Sequence, residues 1–584
     1  MSPFHMTICR IFFLASVSFY LATQPVLSQI NPLAIPPTLS GPTYDLTLAR
    51  SSHEFMNGIQ TTTLGINGTY LGPTLILESG TDVQMNVTNQ IGEPTTIHWH
   101  GMHVAPEDDG GPHTVIPDGT TWSPDFNVLD QATTFWYHPH LHERTGEHVY
   151  KGLAGVIIVR DAIEVGLNLP RTYGVNDIPV VLQDRQFNAQ GQLVFNPGGA
   201  GQTGNQMVIN GTLDPFVALE AGITRLRLLN GSNSRVYMLG LDNDADFHMI
   251  GSDGGLLSAP VAMNRLKLAP GERADVLFDL NGLEGQSRTL MSYSSELTQG
   301  EPGGVGGGGG PGGPNTNPLN GTDFDIMELR ISGTSTLNSI PSSLVTVEPL
   351  NESDSDRSRP MLLNNVTGQG GPAPLAINGV ELDLNVINEI VTLGDTEIWT
   401  ITNQTGEPHP FHIHDIQFQI LDRGGIAPPA HEQGWKDTVL VYPGEPVRII
   451  SRFEDHADPT TPYMYHCHFL GHEDGGMMGQ FLVIDPNATT IEQELLPYGD
   501  FELMNYPDPF VDWTTIVYSL ETISHVRIKV YDATGRALKT LFDGFRDAGR
   551  NESIWKAGSV PSGTYFIQIE VDGIPATKSV RITK

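Results

Sequence analysis

At about 150 residues per domain, a chain of 584 residues holds roughly four domains. Its 31 basic against 66 acidic residues leave a net charge of −35, which repels nucleic-acid phosphate and excludes that partner. With 39% hydrophobic residues, 64 glycines and only two cysteines (Cys9 and Cys467), it is neither disordered, nor a multi-span membrane protein, nor a disulfide or Cys-rich zinc scaffold.

Residues 1–28 read as a secretory signal: Arg10 precedes the apolar run 11–22, and Val26-x-Ser28 offers a cleavage site before Gln29. The run is too short to span a bilayer comfortably. Cleavage removes Cys9 and leaves Cys467 as the single cysteine.

A pattern then recurs three times: Ile-Asn-Gly, an apolar stretch, a Gly, and a strand ending in Asn. The copies start at Ile66-Asn67-Gly68, Ile209-Asn210-Gly211 and Ile377-Asn378-Gly379, and their strands end at Asn89, Asn230 and Asn403. Starts 143 and 168 residues apart are domain-sized spacings. The runs are β-rich and Asn-Gly supplies turns, so three homologous β-sandwiches are expected over residues 29–165, 166–340 and 341–490. A Gly/Pro-rich stretch at 299–314 reads as a flexible surface insertion without Met, His or Cys.

Of the 20 histidines, ten fall in four short motifs: HWHG (98–101), HPH (138–140), HPFHIH (409–414) and HCHFLGHEDGGMM (466–478). The first two lie in the first repeat and the last two in the third. The middle repeat has only His248. His103, His113, His142 and His148 read as non-ligands. Neutral imidazole and thiolate suit copper, and a Cys, two His and a weak axial Met make a blue-copper site. On a strand, residues two apart share a face. His466 and His468 therefore point one way and Cys467 the other, while His412 and His414 oppose His409. Two sets result: Cys467 with His409, His472 and Met477, and four histidine pairs, 98/100, 138/140, 412/414 and 466/468. Peptide links on either side of Cys467 join the two sets.

After a linker (491–504), residues 505–584 read as a small β-sandwich of short alternating runs such as VRIKVYDATGR (526–536) and SGTYFIQIEV (562–571). This tail resembles the C-terminal sorting domain of type IX secretion. The resemblance implies export across an outer membrane, with a secreted or cell-surface protein and a periplasmic one as fallback. An immunoglobulin-like accessory domain is the bland alternative.

The four motifs resemble those of three-domain multicopper oxidases: laccases, bilirubin oxidases and bacterial copper-efflux oxidases. The likeness spans about residues 40–490. It implies an all-β fold of three cupredoxin-like Greek-key sandwiches, plus the small immunoglobulin-like tail. It also implies four copper ions. The type 1 site takes His409, Cys467, His472 and axial Met477. The type 2 site takes His98 and His412. The two type 3 sites take His100, His138, His140, His414, His466 and His468. The middle sandwich then spaces the outer two. By the same resemblance, a donor is oxidised four times, one electron each, at the type 1 site, and O₂ becomes two waters at the cluster. The donor is expected near ring edges of His409 and His472 that reach the surface. Met477 implies a low- to medium-potential site. Asp109 and Glu473 match the family's proton-relay carboxylates, with Asp108 as fallback.

Partners expected are O₂, a reducing small-molecule or metal-ion donor, and the outer-membrane export machinery, with the oxidase a monomer. Laccase-like oxidation of phenols and aromatic amines is the first reading. Cuprous oxidation is supported by HWHG…DGGP, GWKDTV (434–439) and HEDGGMM, but the insertion is Gly-rich where the efflux type is Met-rich. Bilirubin, Mn(II) and a copper-binding surface scaffold stay open. A two-domain nitrite reductase lacks the His-Cys-His bridge with four pairs.

Overall fold

The computed structural model describes residues 30–196, 202–306, 317–366, 374–486 and 503–583, apart from positions 508, 521, 533–535, 559 and 572–573. The signal segment with Cys9, residues 307–314 of the Gly-rich stretch and residues 491–502 of the linker lie outside the described residues.

Alternating apolar and polar residues give strands with one buried face, as in Thr43–Met56 and Asp82–Gln90. Eight sheets result among the described residues, and the four largest hydrophobic cores lie between facing pairs. The first core holds Trp99 and Tyr137, the second Leu226 and Val276, the third Trp399 and Phe481, and the fourth Trp555 and Ile567. The fold is all-β, and α1 (Thr145–Lys151) is the longest helix among the described residues.

The repeated signature has a physical basis. Asn67, Asn210 and Asn378 all take left-handed backbone, at φ 53°, 49° and 56°, which asparagine tolerates. Each Oδ1 accepts a backbone N–H from a neighbouring strand, from Thr47 at 2.7 Å, Val181 at 2.7 Å and Leu362 at 2.8 Å. The strand-ending Asn89, Asn230 and Asn403 each accept the N–H two residues on, at 3.0, 3.1 and 2.9 Å, and so turn the chain. In each copy that strand runs parallel to an earlier one: Asp82–Gln90 beside Thr43–Met56, Ile223–Asn230 beside Asp177–Arg185, and Thr396–Asn403 beside Arg357–Asn365. Such non-sequential neighbours suit a Greek key.

Charge fixes the first sandwich to the second. Thr134 Oγ1 donates to Asp275 at 2.7 Å and accepts from Arg227 at 3.0 Å, while Arg227 also forks onto Asp177 at 2.6 and 3.0 Å, all buried.

The Gly-rich stretch departs from expectation over its described part. Residues 301–304 are buried, and Glu301 accepts from Lys267 Nζ at 2.7 Å and from the Tyr442 hydroxyl. A buried carboxylate needs such partners, so this part is an anchored contact and not a loose surface loop.

Candidate metal centre

Strands of two different sandwiches, a pair in the first and three in the third, face one another. In the first, β1 (His98–His100) runs antiparallel to β2 (Thr134–His138), placing His138 opposite His98. In the third, β3 (His409–Ile413) lies between β4 (Thr438–Val441) and β5 (Asp458–Cys467), placing His412 opposite both Thr438 and His466. Across the seam the rings of His98 and His414 stack at 3.8 Å, as do those of His100 and His412.

All eight paired histidines are fully buried. Their nitrogens converge in trios: His98, His412 and His414; His100, His138 and His468; His140, His414 and His466. Nε2 of His140 stands 3.0 Å from that of His466 and 3.2 Å from that of His414, and the last two are 3.3 Å apart. Three nitrogens each about 2.0 Å from one ion would stand roughly 3.3 Å apart in a tetrahedral array, so the spacing is metal-sized.

The second nitrogen of most rings is committed elsewhere, which sets the tautomer. Nδ1–H of His98 donates to the Asp109 carbonyl at 2.9 Å, that of His412 to the Asp437 carbonyl at 2.8 Å, and that of His138 to the Pro139 carbonyl at 2.8 Å. His466 donates to the Cys467 carbonyl at 3.1 Å and His414 to the Asp109 carboxylate at 2.8 Å. What remains is a set of inward nitrogens. Nε2 of His98, Nε2 of His412 and both nitrogens of His468 have no hydrogen-bond partner among the described residues. Buried polar atoms are rarely left so, and a metal ion satisfies them.

Burial, and then the neighbouring imidazoles, hold His100, His140, His412, His414 and His468 well below the ordinary histidine range. His138 follows the same way, and burial draws His466 down to about 3. Neutral imidazole is the form that binds metals.

The second group lies on the opposite face of β5. Cys467 Sγ sits 3.5 Å from His409 Nδ1 and 3.6 Å from His472 Nδ1, in the core that also holds Met477. The Cys467 N–H donates to the Met477 carbonyl at 3.1 Å, which folds the Met477 loop back onto the cysteine. Burial pushes the bare thiol well up, so a thiolate there calls for a cation beside it. The residues present fit copper: thiolate with two imidazoles on one side, imidazoles alone on the other.

Neither of the two rings expected at the surface reaches it: His409 is fully buried and His472 is 3% exposed. His409 Nε2 is bonded to the half-buried Thr405 Oγ1 at 2.8 Å. His472 turns its Nε2 toward Glu407, at 3.7 Å, whose side chain is 30% exposed.

Both expected carboxylates lie against the imidazole group. Glu473, in α2 (Leu470–Asp474), puts its oxygens 3.5 Å from His140 Nδ1 and 3.5 Å from His466 Nδ1, and burial holds its carboxyl well above the usual range. Asp109 reaches His414 Nδ1 at 2.8 Å and His98 Nδ1 at 3.2 Å. Asp108 instead offers its carbonyl to Trp99 Nε1 at 3.1 Å. Three of the four histidines expected as non-ligands have other partners: His103 bonds Asp130 at 2.7 Å, His113 bonds Gln480 at 2.7 Å and His148 bonds Thr95 at 3.0 Å. Sequence reasoning missed Asp437, which joins His100 and His412 in a further potential ligand group. The signal was available in the GWKDTV motif.

Residues 47–163 and 355–487 each match a family model described as multicopper oxidase, and residues 505–583 match one described as a secretion system C-terminal sorting domain. The chain is 32% identical to a multicopper oxidase of Staphylococcus haemolyticus, over 75% of this chain and 88% of that protein. It is 35% identical to the cell division protein FtsP of Photorhabdus laumondii, over 79% and 94% respectively. Among solved structures it resembles a bacterial laccase-like multicopper oxidase, CueO, from Ochrobactrum sp., with 34% identity and a TM-score of 0.69 over 78% of this chain and 100% of that one.

Proposed function

The chain belongs to the multicopper oxidase family, and from that premise we propose that it is an exported oxidase with laccase-like activity, drawing single electrons from phenols or aromatic amines and delivering them to O₂, which leaves as water. The observation that carries this reading is the place of Cys467. It stands in a thiolate site on one face of β5, while its neighbours His466 and His468 stand in the imidazole site on the other. Copper bound at the four residue groups supplies the one-electron chemistry and the site of O₂ reduction. We assign His409, Cys467, His472 and Met477 to the type 1 ion, His98 and His412 to type 2, and His100, His138, His468 and His140, His414, His466 to the two type 3 ions.

The chain's own residues do the rest. Backbone atoms on either side of Cys467 give electrons a covalent route between the sites. Glu473 and Asp109 are the carboxylates placed to pass protons to the imidazole site, where reducing O₂ to two waters consumes four. At the other end, Glu407 beside His472 accepts the proton that a phenol or aniline gives up as it loses an electron. The same carboxylate, on a chain of net charge −35, disfavours a dianion such as bilirubin. Cu(I) and Mn(II) remain donors to compare. The cell division relative supports a second reading, a copper-binding surface scaffold without turnover. The C-terminal sorting domain marks the chain for secretion, and we propose that residues 1–28 first carry it across the inner membrane.

The test is O₂ consumption by the copper-loaded chain with a phenol, Cu(I), bilirubin and Mn(II) in turn. Fastest uptake with the phenol supports the laccase-like reading. No uptake with any donor, despite full copper and blue colour, replaces it with the scaffold.

A further inference from the structure

The middle sandwich contributes none of the ten motif histidines, yet one of its side chains reaches the imidazole site. Arg273 opens the strand Arg273–Asp279 and is fully buried. Its Nη1 and Nη2 donate to the two oxygens of Asp437 at 2.7 and 2.6 Å. The remaining donors meet the Thr134 carbonyl at 3.0 Å, the Gly271 carbonyl at 3.1 Å and the Asp253 carbonyl at 2.8 Å. All five guanidinium N–H groups are therefore used, across all three sandwiches, and only a planar fork does this.

Asp437 is the fully buried acceptor at the end of that fork. Its Oδ1 lies 3.2 Å from His100 Nε2, and it also accepts from Thr438 Oγ1 at 2.8 Å. His100 differs from its neighbours: it turns Nδ1, not Nε2, toward His138, at 3.4 Å. That arrangement requires the proton to sit on Nε2, where Asp437 receives it. The backbone carbonyl of Asp437 meanwhile fixes His412 the opposite way round. One residue thus sets two tautomers. Gly101, at φ +87°, is glycine because a Cβ would collide with Asp437 and Arg273. Gly271, at φ +88°, lies so close to His468 that a Cβ would stand 2.9 Å from its ring.

We infer that Arg273 is a positioning residue of the imidazole site assigned to the type 2 and type 3 ions: through Asp437 it holds His100 in the tautomer that frees Nδ1 for metal. The middle sandwich therefore helps build the cluster as well as spacing its neighbours. The inference rests on the copper-oxidase reading above.

The test compares R273K and D437N with R359K in the full copper-loaded chain. Arg359 is a buried arginine paired with Glu397 and Glu389 away from the cluster, so R359K reports what a disturbed buried ion pair alone does. Each protein is challenged with a copper chelator. Non-blue copper is followed by elemental analysis and electron paramagnetic resonance, and the thiolate site by its blue absorption. R273K and D437N are expected to lose non-blue copper about tenfold faster than wild type while the blue absorption stays. D437N, a near-isosteric change, decides if R273K does not accumulate. Loss no faster than in R359K overturns the inference while leaving the oxidase reading intact. Absence of non-blue copper from the wild-type chain overturns both.

Discussion

Replacing Glu473 with Gln isolates the proton supply. The change is isosteric and swaps a buried neutral carboxyl, 3.5 Å from both His140 and His466, for an amide that cannot release a proton. Positioned acids contribute about 10²–10⁴ in rate. Asp109 remains, 2.8 Å from His414 on the other side of the group, so the low end is expected: about a hundredfold, or about 2.7 kcal/mol of barrier. The thiolate site lies on the other face of β5. Stopped-flow absorption separates the halves. Anaerobic bleaching of the blue band by a phenol should match wild type, and its return on mixing with O₂ should slow about a hundredfold. Equal slowing of both phases, or of neither, refutes Glu473 as the acid.

Cys467→Ser should abolish blue absorption and donor turnover and remove one copper per chain, leaving the imidazole-bound copper in place, as elemental analysis would show. Glu407→Gln should lower kcat/KM for a phenol by about a hundredfold, with a smaller effect on an anionic donor that releases no proton; equal effects on both would remove its role. His103 gives the fold a pH dependence. Burial pulls its pKa down, but Asp130, Asp415 and Asp455 outweigh this and raise it to about 9. A raised pKa stabilises fully below about 6.5 and is lost as pH climbs through about 9. H103Q should therefore trail wild type by at most about 3 kcal/mol in urea unfolding at pH 6, with the gap closing above about pH 9.

Much of this site was legible because strand parity is simple physics. Residues two apart share a face, which alone separates Cys467 from His466 and His468 and pairs His412 with His414. The repeat was legible because Asn-Gly turns and strand-ending asparagines form the same backbone bonds in each sandwich. What escaped depends on contacts between distant segments. Arg273 and Asp437 are 164 residues apart in sequence, and no local pattern announces their pairing. Glu301 looked like part of a loose Gly-rich stretch, because its partner Lys267 lies 34 residues away and Tyr442 comes from the third sandwich. His409 and His472 were expected at the surface, but both rings are buried, with Thr405 bonded to the outer nitrogen of His409 and Glu407 beside that of His472.

The most direct measurement is the ratio of phenol oxidised to O₂ consumed by the copper-loaded chain, with hydrogen peroxide assayed in the same vessel. Four phenols per O₂ and no peroxide is the expected result, since four single electrons reach one O₂ through Cys467. Two phenols per O₂ with accumulating peroxide, or no uptake at all, contradicts it.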